Sequence, residues 1–226
     1  MDISLYYEER GAGFPLVLLH GNGESHEYFA RQMEPFSRAF RVLAPDTRGH
    51  GRSPRGEGAF TLRRFADDLY DFLRARGIER AHILGFSDGG NIALYFALAH
   101  PEMVDHLILN GANLCPAGVK RRYQLPIEIG YKIVKRFAGK SAEARAHAET
   151  LALMVNEPDI SPERLHALTM PTLVVAGTKD MIRRSHTEEI AKNLPNAMAL
   201  FLPGNHFVAA GNPEAFNAAV LDFLKG

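Results

Sequence analysis

A serine lies at the centre of residues 85–89, in the pattern Gly-x-Ser-x-Gly, and serine is a residue type that can attack a carbonyl carbon. The apolar run 81–86 leads into Ser87, and a segment with helical periodicity follows it. On a tight turn from strand to helix, a serine hydroxyl projects into a cleft, and the first N–H groups of the helix point at the same cleft. The two glycines leave room at this turn for the neighbouring strand and helix. Ser87 is therefore the candidate nucleophile.

A serine hydroxyl is a weak nucleophile, so Ser87 needs a base within hydrogen-bond reach and an acid that orients the base. Histidine is the commonest base, and the chain has 10 of them. Three follow directly after predicted strands, as Ser87 does: His20, His50 and His206. The others fall at strand starts, in helices or in an inserted segment, and His186 is expected at the surface. Only His206 among the three follows the serine along the chain.

The same comparison selects an acid. Asp46, Asp88 and Asp180 lie where predicted strands end, and only Asp180 falls between Ser87 and His206. Serine, then acid, then histidine is the chain order of one architecture of serine hydrolases. The residues alone thus favour a triad of Ser87, Asp180 and His206.

The chain around these residues alternates apolar runs with segments of helical periodicity. Such alternation is typical of a mostly parallel central sheet with helices on both faces, whose buried strands read as continuous apolar runs. An edge strand over residues 3–8 shows instead the alternation of a half-buried strand. The predicted strands are 15–19, 41–44, 81–86, 104–109, 172–176 and 198–202, and the predicted helices are 27–38, 62–76, 91–99, 187–192 and 213–224.

An insertion separates two of the predicted strands. About 60 residues lie between Asn110 and Pro171, far more than a crossover needs. They indicate helices over 124–137 and 141–155, and a third that begins with Ser161 as N-cap and Pro162 at the first helical position. A segment that leaves the carboxyl end of a strand lies over the cleft, so we expect residues 115–170 to form a helical lid. An insertion with no role at the cleft is the alternative.

Composition predicts a single domain over residues 1–226 and excludes several function classes. The chain has 226 residues, of which 46% are hydrophobic, enough for one sizeable core. Its 26 basic and 26 acidic residues balance, so neither nucleic acid nor an anionic membrane is an expected partner. A signal peptide and a membrane span are absent from the sequence pattern, and we expect a cytoplasmic protein. The one cysteine and the lack of metal-ligand spacing predict no disulfide, metal or cofactor. The oligomeric state stays open.

Five motifs in chain order make this sequence resemble the α/β-hydrolase fold family over essentially its whole length. The resemblance implies the α/β-hydrolase fold, with Ser87 as nucleophile, Asp180 as orienting acid and His206 as general base. Relatives that open epoxides or displace halide carry an aspartate at the position of Ser87, so the serine implies an acyl-enzyme instead. The motifs are His20-Gly21, the segment 46–53, the turn at Ser87, Asp180 and Asn205-His206-Phe207.

The resemblance also suggests which groups surround the reacting carbonyl. The backbone N–H groups of Asn22 and Asp88 are expected to form the oxyanion hole. The Asp88 carboxylate either lines the acyl pocket and favours a cationic, amino-acyl substrate, or only meets the dipole of its helix. Cys115 either faces the pocket or fills a small buried space. The candidates for the substrate pocket are Asn22, Asp88, Cys115, Met181 and Phe207. The segment 46–53 is interpreted as a rigid loop.

The leading functional hypothesis is a carboxylesterase-like serine hydrolase that acts on small carboxylic esters, with thioesters, lactones and amides as close relatives of these substrates. The partner is then a small-molecule acyl substrate. Two alternatives use the same triad: a C–C bond hydrolase, lactonase or aminopeptidase-like enzyme, and a small-molecule receptor with slow turnover. Fold alone does not separate them.

Overall fold

A seven-stranded sheet forms the centre of the protein, in a computed structural model that describes residues 2–225. Its strands are β1 (Tyr7–Arg10), β2 (Pro15–Leu19), β3 (Arg41–Pro45), β4 (Ala81–Phe86), β5 (Val104–Asn110), β6 (Thr172–Gly177) and β7 (Ala197–Leu202). Their spatial order is β1-β3-β2-β4-β5-β6-β7. The β1 strand is antiparallel to β3, and the other pairs are parallel. The predicted sheet, mostly parallel, is therefore confirmed.

Eight α-helices accompany the sheet within the described residues. They are α1 (Ala30–Ser37), α2 (Leu62–Arg74), α3 (Asp88–Ala99), α4 (Arg121–Val134), α5 (Ala142–Asn156), α6 (Arg184–Asn193), α7 (Val208–Gly211) and α8 (Pro213–Phe223). Short 3₁₀ turns cover His26–Phe29, Pro101–Met103, Pro116–Gly118, Lys135–Phe137 and Pro162–Ala167. From residue 2 to residue 225, no helix combines the length and the apolar character that crossing a bilayer requires.

Two apolar clusters cover the two faces of the sheet. Side chains alternate across a strand, so Val17 and Leu19 of β2 belong to one cluster, whereas Leu16 and Leu18 belong to the other. The first cluster contains residues of α2, α3 and α6, and the second contains residues of α1 and α8. Both faces of the sheet are buried, which explains why the central strands are continuous apolar runs in the sequence.

The strand prediction was wrong at one place, the amino-terminal edge. The predicted edge strand 3–8 is observed as Tyr7–Arg10. Before that point the backbone N–H of Tyr6 donates to the side chain of Ser53, 2.9 Å away, and not to a neighbouring strand. A local pattern of alternation does not reveal such a contact between distant residues.

The segment between β5 and β6 is helical, as the sequence predicted, but its third helix is a 3₁₀ turn at Pro162–Ala167. Ser161 is its N-cap residue and Pro162 its first residue, as predicted, but the Ser161 hydroxyl contacts the side chain of Glu163 and not a backbone N–H. At its start, the insertion (residues 115–170) is joined to the chain that follows β6. Val119 pairs with Ile182 as an isolated β-bridge, and the backbone N–H of Lys120 donates to the carbonyl of Met181 at 2.8 Å.

The loop 46–53 is held by a buried ion pair. Arg48 is fully buried and donates two hydrogen bonds to the Asp68 carboxylate on α2, at 2.6 and 2.7 Å. The neighbouring residue Thr47 donates its backbone N–H to His20 at 3.0 Å, which ties this loop to the end of β2. The segment 46–53 thus supports the loop after β2, in agreement with its interpretation as a rigid loop.

We predict that Asp68→Asn lowers the free energy of unfolding by about 3 kcal/mol, because Arg48 then keeps a fully buried charge whose remaining carboxylate partner, Asp2, is partly exposed. Asp67→Asn is the matched control, since Asp67 is exposed on the same helix and its replacement should change stability by less than about 0.5 kcal/mol. Urea unfolding of the three proteins measures both effects. Equal unfolding midpoints for the two variants would contradict the role assigned to the ion pair.

Candidate active site

Ser87 lies between β4 and α3 with a backbone conformation that side chains rarely adopt. Its φ of 52° and ψ of −120° make it the one non-glycine residue with positive φ between residues 2 and 225. A Cβ atom on Gly85 would collide with the backbone of Gly89, and one on Gly89 would collide with the backbone of Leu19. The two glycines therefore allow α3 to approach the sheet while Ser87 turns its hydroxyl outward.

The hydroxyl of Ser87 meets an imidazole, and the imidazole meets a carboxylate. The Ser87 Oγ lies 3.0 Å from His206 Nε2, and His206 Nδ1 lies 2.7 Å from Asp180 Oδ1. Asp180 and His206 are 3% and 6% exposed, so water competes little for these contacts. The three residues that the sequence selected thus form one hydrogen-bonded chain.

The topology of the sheet explains this convergence. Parallel strands end at the same edge, and the residues follow β4, β6 and β7 at that edge. Along the chain the strand order moves from β2 outward to β3 and then returns to β4 on the other side, so a crevice opens between the ends of β2 and β4. The loop that begins at His20 lies on one side of the crevice and Ser87 lies on the other.

Asp180 is a stable ionised partner for the imidazole. Burial raises the pKa of its carboxyl, but the hydrogen bond and charge of His206 and the N–H groups of Ile182 and Gly177 outweigh burial, and the pKa lies below its usual value. The N–H of Ile182 donates to Asp180 Oδ1 at 2.9 Å. A carboxylate held in this way fixes the tautomer in which His206 Nε2 accepts a proton.

The other histidines after strands have structural roles. His20 is buried, and burial lowers its pKa to about 4, so its neutral ring accepts the N–H of Thr47. His50 is buried in contact with the same threonine. The prediction of a surface position for His186 was wrong: it is 9% exposed, and its Nε2 accepts the backbone N–H of Leu114 at 2.9 Å. The cause is that α6 packs against the beginning of the insertion.

A cavity of about 120 Å³ opens beside the triad. Ser87 and His206 form part of its wall, together with Phe86. Four residues of the insertion complete the wall from above: Val119, Gln124, Met154 and Glu157. The insertion therefore forms part of the cavity wall, and its role as a lid stays a prediction.

Four of the five candidate pocket residues line this cavity: Asn22, Asp88, Met181 and Phe207. Cys115 does not, and its expected position at the pocket was wrong. It precedes the 3₁₀ turn Pro116–Gly118, and its carbonyl accepts the side-chain amide of Asn113 at 2.9 Å. Cys115 is half-buried, so it does not fill a fully buried space either.

Several functional positions were not singled out in the sequence. Glu24 belongs to the same short loop as Asn22, and its place after β2 was an available signal. Gln124 and Glu157 lie on the insertion, where no local pattern tells which side faces the cavity. Gly111 has a φ of 64°, and a Cβ there would come within 2.7 Å of the His206 ring. The glycine after β5 thus gives the imidazole its space.

The cavity is rich in carboxyl groups whose pKa values are raised. Burial raises the pKa of Glu24 to about 7, although the N–H of Gly21 opposes this shift. Burial also raises the pKa of Asp88, against the hydrogen bonds from Asn22 and Asn91. The pKa of Glu157 is raised by burial too, and the charge of Asp88 adds to this shift. The three acids thus lie in a poorly solvated space.

The two residues expected to form the oxyanion hole, Asp88 and Asn22, lie at the beginning of α3 and in the loop after β2. Asp88 is the first residue of α3, so its backbone N–H has no partner within the helix. Asn22 lies across the crevice, with its side-chain Nδ2 2.8 Å from Asp88 Oδ2 and 2.9 Å from the carbonyl of Thr150. The side-chain bond between Asn22 and Asp88 holds the two loops together.

Comparisons with known proteins give the chain a set of relatives. The family model described as alpha/beta hydrolase fold matches residues 15–127. A protein of Caulobacter sp. strain K31, whose name is "Putative carbamate hydrolase RutD", is 31% identical across 98% of this chain and 96% of its own. A thermophilic esterase from Thermogutta terrifontis has a TM-score of 0.83 at 25% identity, covering 99% of this chain and 93% of its own. The enol-lactonase from Burkholderia xenovorans LB400 has a TM-score of 0.83 at 21% identity, covering 99% of this chain and 97% of its own, and this likeness shows a shared fold alone.

We predict that Asp180→Asn lowers kcat for hydrolysis by about 10³–10⁴-fold, because His206 then loses the partner that fixes its tautomer and stabilises its charged form. Asp222→Asn is the control, since that carboxylate is 80% exposed on α8. Steady-state kinetics, with thermal unfolding to verify that both variants fold, provide the measurement. A kcat within about tenfold of the wild-type value would contradict the role of Asp180.

We predict a pH-dependent stability difference for Glu24→Gln. Between the ordinary pKa of 4.5 and the folded value of about 7, the unfolded chain releases a proton that the folded protein keeps, so wild-type stability falls as pH rises through this window. In the variant, residue 24 cannot ionise, so its unfolding free energy does not fall for this reason. Its unfolding free energy relative to wild type should therefore increase by on the order of 2 kcal/mol across the window and stay level above it.

Urea unfolding at a series of pH values tests this difference. Glu27→Gln, at an exposed position of the neighbouring turn, serves as the control and should follow the wild-type curve. A Glu24→Gln curve parallel to that of the wild type at every pH would show that Glu24 ionises with an ordinary pKa.

Proposed function

Because the chain belongs to the α/β-hydrolase fold family, we propose that it is a serine hydrolase that cleaves small carboxylic esters, or related acyl bonds, through an acyl-enzyme on Ser87. The observation that carries this proposal is the chain of contacts from Ser87 Oγ to His206 Nε2, at 3.0 Å, and from His206 Nδ1 to Asp180, at 2.7 Å. A serine with a base in hydrogen-bond reach, oriented by a buried acid, is the arrangement that activates a hydroxyl.

In the first half of the proposed reaction, Ser87 Oγ attacks the carbonyl carbon and its proton moves to His206 Nε2. The imidazolium that forms is stabilised by the Asp180 carboxylate. His206 then donates the proton to the oxygen of the leaving alcohol, the carbon–oxygen bond breaks, and the acyl group stays on Ser87.

In the second half, a water molecule replaces the alcohol. His206 takes a proton from the water, whose oxygen attacks the acyl carbon, and the proton then returns to Ser87 Oγ as the acid leaves. Each step passes through an oxyanion, for which the backbone N–H groups of Asp88 and Asn22 are the proposed donors. Loss of one such donor typically costs on the order of 10²–10³ in rate.

The size of the cavity supports a small acyl group. A volume of about 120 Å³ leaves room for only a few non-hydrogen atoms beside Ser87. The names of an esterase and of a carbamate hydrolase among the relatives fit this proposal, because an ester and a carbamate both present an acyl carbon bonded to oxygen. A serine attacks both in the same way, and a carbamate would leave a carbamoyl group on Ser87.

The competing function of a slow small-molecule receptor has a distinct kinetic signature. An enzyme releases many equivalents of nitrophenol from a 4-nitrophenyl acyl ester, whereas a receptor releases at most one equivalent and retains its ligand. A panel of acyl chain lengths, with a lactone and a carbamate beside the esters, separates ester hydrolysis from the other reactions of the same triad.

We predict that Ser87→Ala lowers kcat on 4-nitrophenyl acetate by at least about 10⁴-fold, because no other hydroxyl lies beside His206 Nε2 in the structure from residue 2 to residue 225. Ser185→Ala, at an exposed position of α6, is the matched control and should keep the wild-type rate. Nitrophenol release is followed for both. Wild-type activity in Ser87→Ala would overturn the proposed function.

A further inference from the structure

The polar side chains of the cavity are mostly hydrogen-bond acceptors. Carboxyl groups of Glu24, Asp88 and Glu157 line it, and within the described residues no lysine or arginine does. His206 is the one lining side chain that can carry a positive charge, and its Nε2 already faces Ser87. The cavity therefore lacks the cations that would balance its acids.

Two amide side chains add acceptors to the same space. Gln124 is 4% exposed, and its Nε2 donates to the carbonyl of Met154 at 3.1 Å. This bond fixes the orientation of the amide and leaves Oε1 buried without a hydrogen-bond partner. The side chain of Asn22 uses its Nδ2 on Asp88 and Thr150, and its Oδ1 is likewise buried without a partner. A buried acceptor without a donor costs free energy, so these oxygens favour a ligand that brings N–H donors.

Asp88 and Glu157 differ in the number of hydrogen bonds that their carboxylate oxygens already accept. Both Asp88 oxygens are already bonded, one to Asn22 and one to Asn91 at 3.1 Å, so this carboxylate mainly holds the surrounding amides. One oxygen of Glu157 accepts the backbone N–H of Leu62 at 2.8 Å, at the beginning of α2. The other oxygen of Glu157 has no backbone partner of this kind, and Glu157 is one of the residues that line the cavity. Asp88 lines the cavity, but both of its oxygens are bonded to amides. We therefore assign the contact with a cationic substrate to Glu157 and not to Asp88.

The electrostatics favour a cation over a neutral group. Burial raises the pKa of Glu157, and the Asp88 charge raises it further. Arg63 on α2 lowers it in part, but its guanidinium lies 5.1 Å from the centre of the Tyr95 ring and is not part of the cavity wall. A positive charge in the cavity would offset the burial of these carboxylates, and an anionic acyl group would add to their repulsion.

We infer that the preferred substrate is a small ester whose acyl group carries an ammonium or another N–H-rich cation, held by Glu157 and Gln124 while its carbonyl lies at Ser87. This inference rests on the proposed function and names its substrate class. The ammonium donates N–H to the free Glu157 oxygen and to Gln124 Oε1. Glu157 and Gln124 are then determinants of specificity that take no part in proton transfer.

The test compares two esters of the same shape. Ethyl 3-aminopropanoate and ethyl butanoate differ in an ammonium group replacing a methyl group, since the amine is protonated at about pH 7. The ratio of their kcat/KM values is the readout, because damage to the triad lowers both and leaves the ratio unchanged. We expect wild-type protein to prefer the amino ester by at least about tenfold.

Two variants change the ratio in opposite directions. Glu157→Gln keeps an oxygen for the Leu62 N–H but removes the charge, and it should lower the ratio by about tenfold. Gln124→Glu adds a carboxylate beside the ammonium and should raise the ratio. Glu143→Gln, at an exposed position of α5, is the matched control and should leave the ratio unchanged.

The outcomes separate this inference from the proposed function. Equal kcat/KM values for the two esters, or a wild-type ratio in Glu157→Gln, would overturn the cationic substrate class while ester hydrolysis stands. Wild-type protein that hydrolyses no ester of either kind would overturn both. A ratio that falls in Glu157→Gln and rises in Gln124→Glu supports the inference.

Discussion

The hydrogen bond between Asp180 and His206 is the interaction on which the rest of the site depends. Without it the imidazole has no fixed tautomer, and the serine hydroxyl remains an ordinary alcohol. Three parts of the fold hold this bond in place. The N–H groups after β6 hold the carboxylate, Gly111 leaves space for the ring, and the ring of Phe86 lies 4.9 Å from the imidazole centre. The strand order brings these parts to one edge of the sheet. The ring nitrogen of His206 that carries the proton therefore depends on the topology of the whole sheet.

The insertion both forms part of the cavity wall and supplies polar side chains to it. Its first residues pair with the chain after Asp180, and the side chain of Lys120 donates to the Asp180 carbonyl at 2.5 Å. Gln124 on α4 and Glu157, the residue after α5, line the same cavity as Ser87. Burial of side chains at this wall excludes water from them, which strengthens their electrostatic interactions. The acids of the cavity therefore act on a substrate more strongly than surface acids would, and the same exclusion of water raises their pKa values.

Much of the fold could be predicted from the sequence because the central strands are buried on both faces. The apolar runs leave little freedom in placing the strand ends, and the observed bounds of these strands differ from the predicted ones by one residue at most. The triad could be selected because parallel strands place their carboxyl ends together, so position after a strand is informative. The rest depends on contacts between distant segments. Whether His186 is buried depends on how α6 packs against the insertion, and whether Gln124 faces the cavity depends on the rotation of α4. Neither is encoded in a local pattern, and the same holds for Cys115.

The central claim is that Ser87 carries the acyl group during turnover, and mass spectrometry of a quenched reaction tests it most directly. Trypsin cleavage after Arg80 and Lys120 yields the peptide 81–120, which contains both Ser87 and Cys115. Fragmentation of this peptide locates the modification. The account predicts that protein quenched in acid during hydrolysis of 4-nitrophenyl acetate carries an acetyl group on Ser87. An acetyl group on Cys115 or on another residue, with Ser87 unmodified in the same sample, would contradict it.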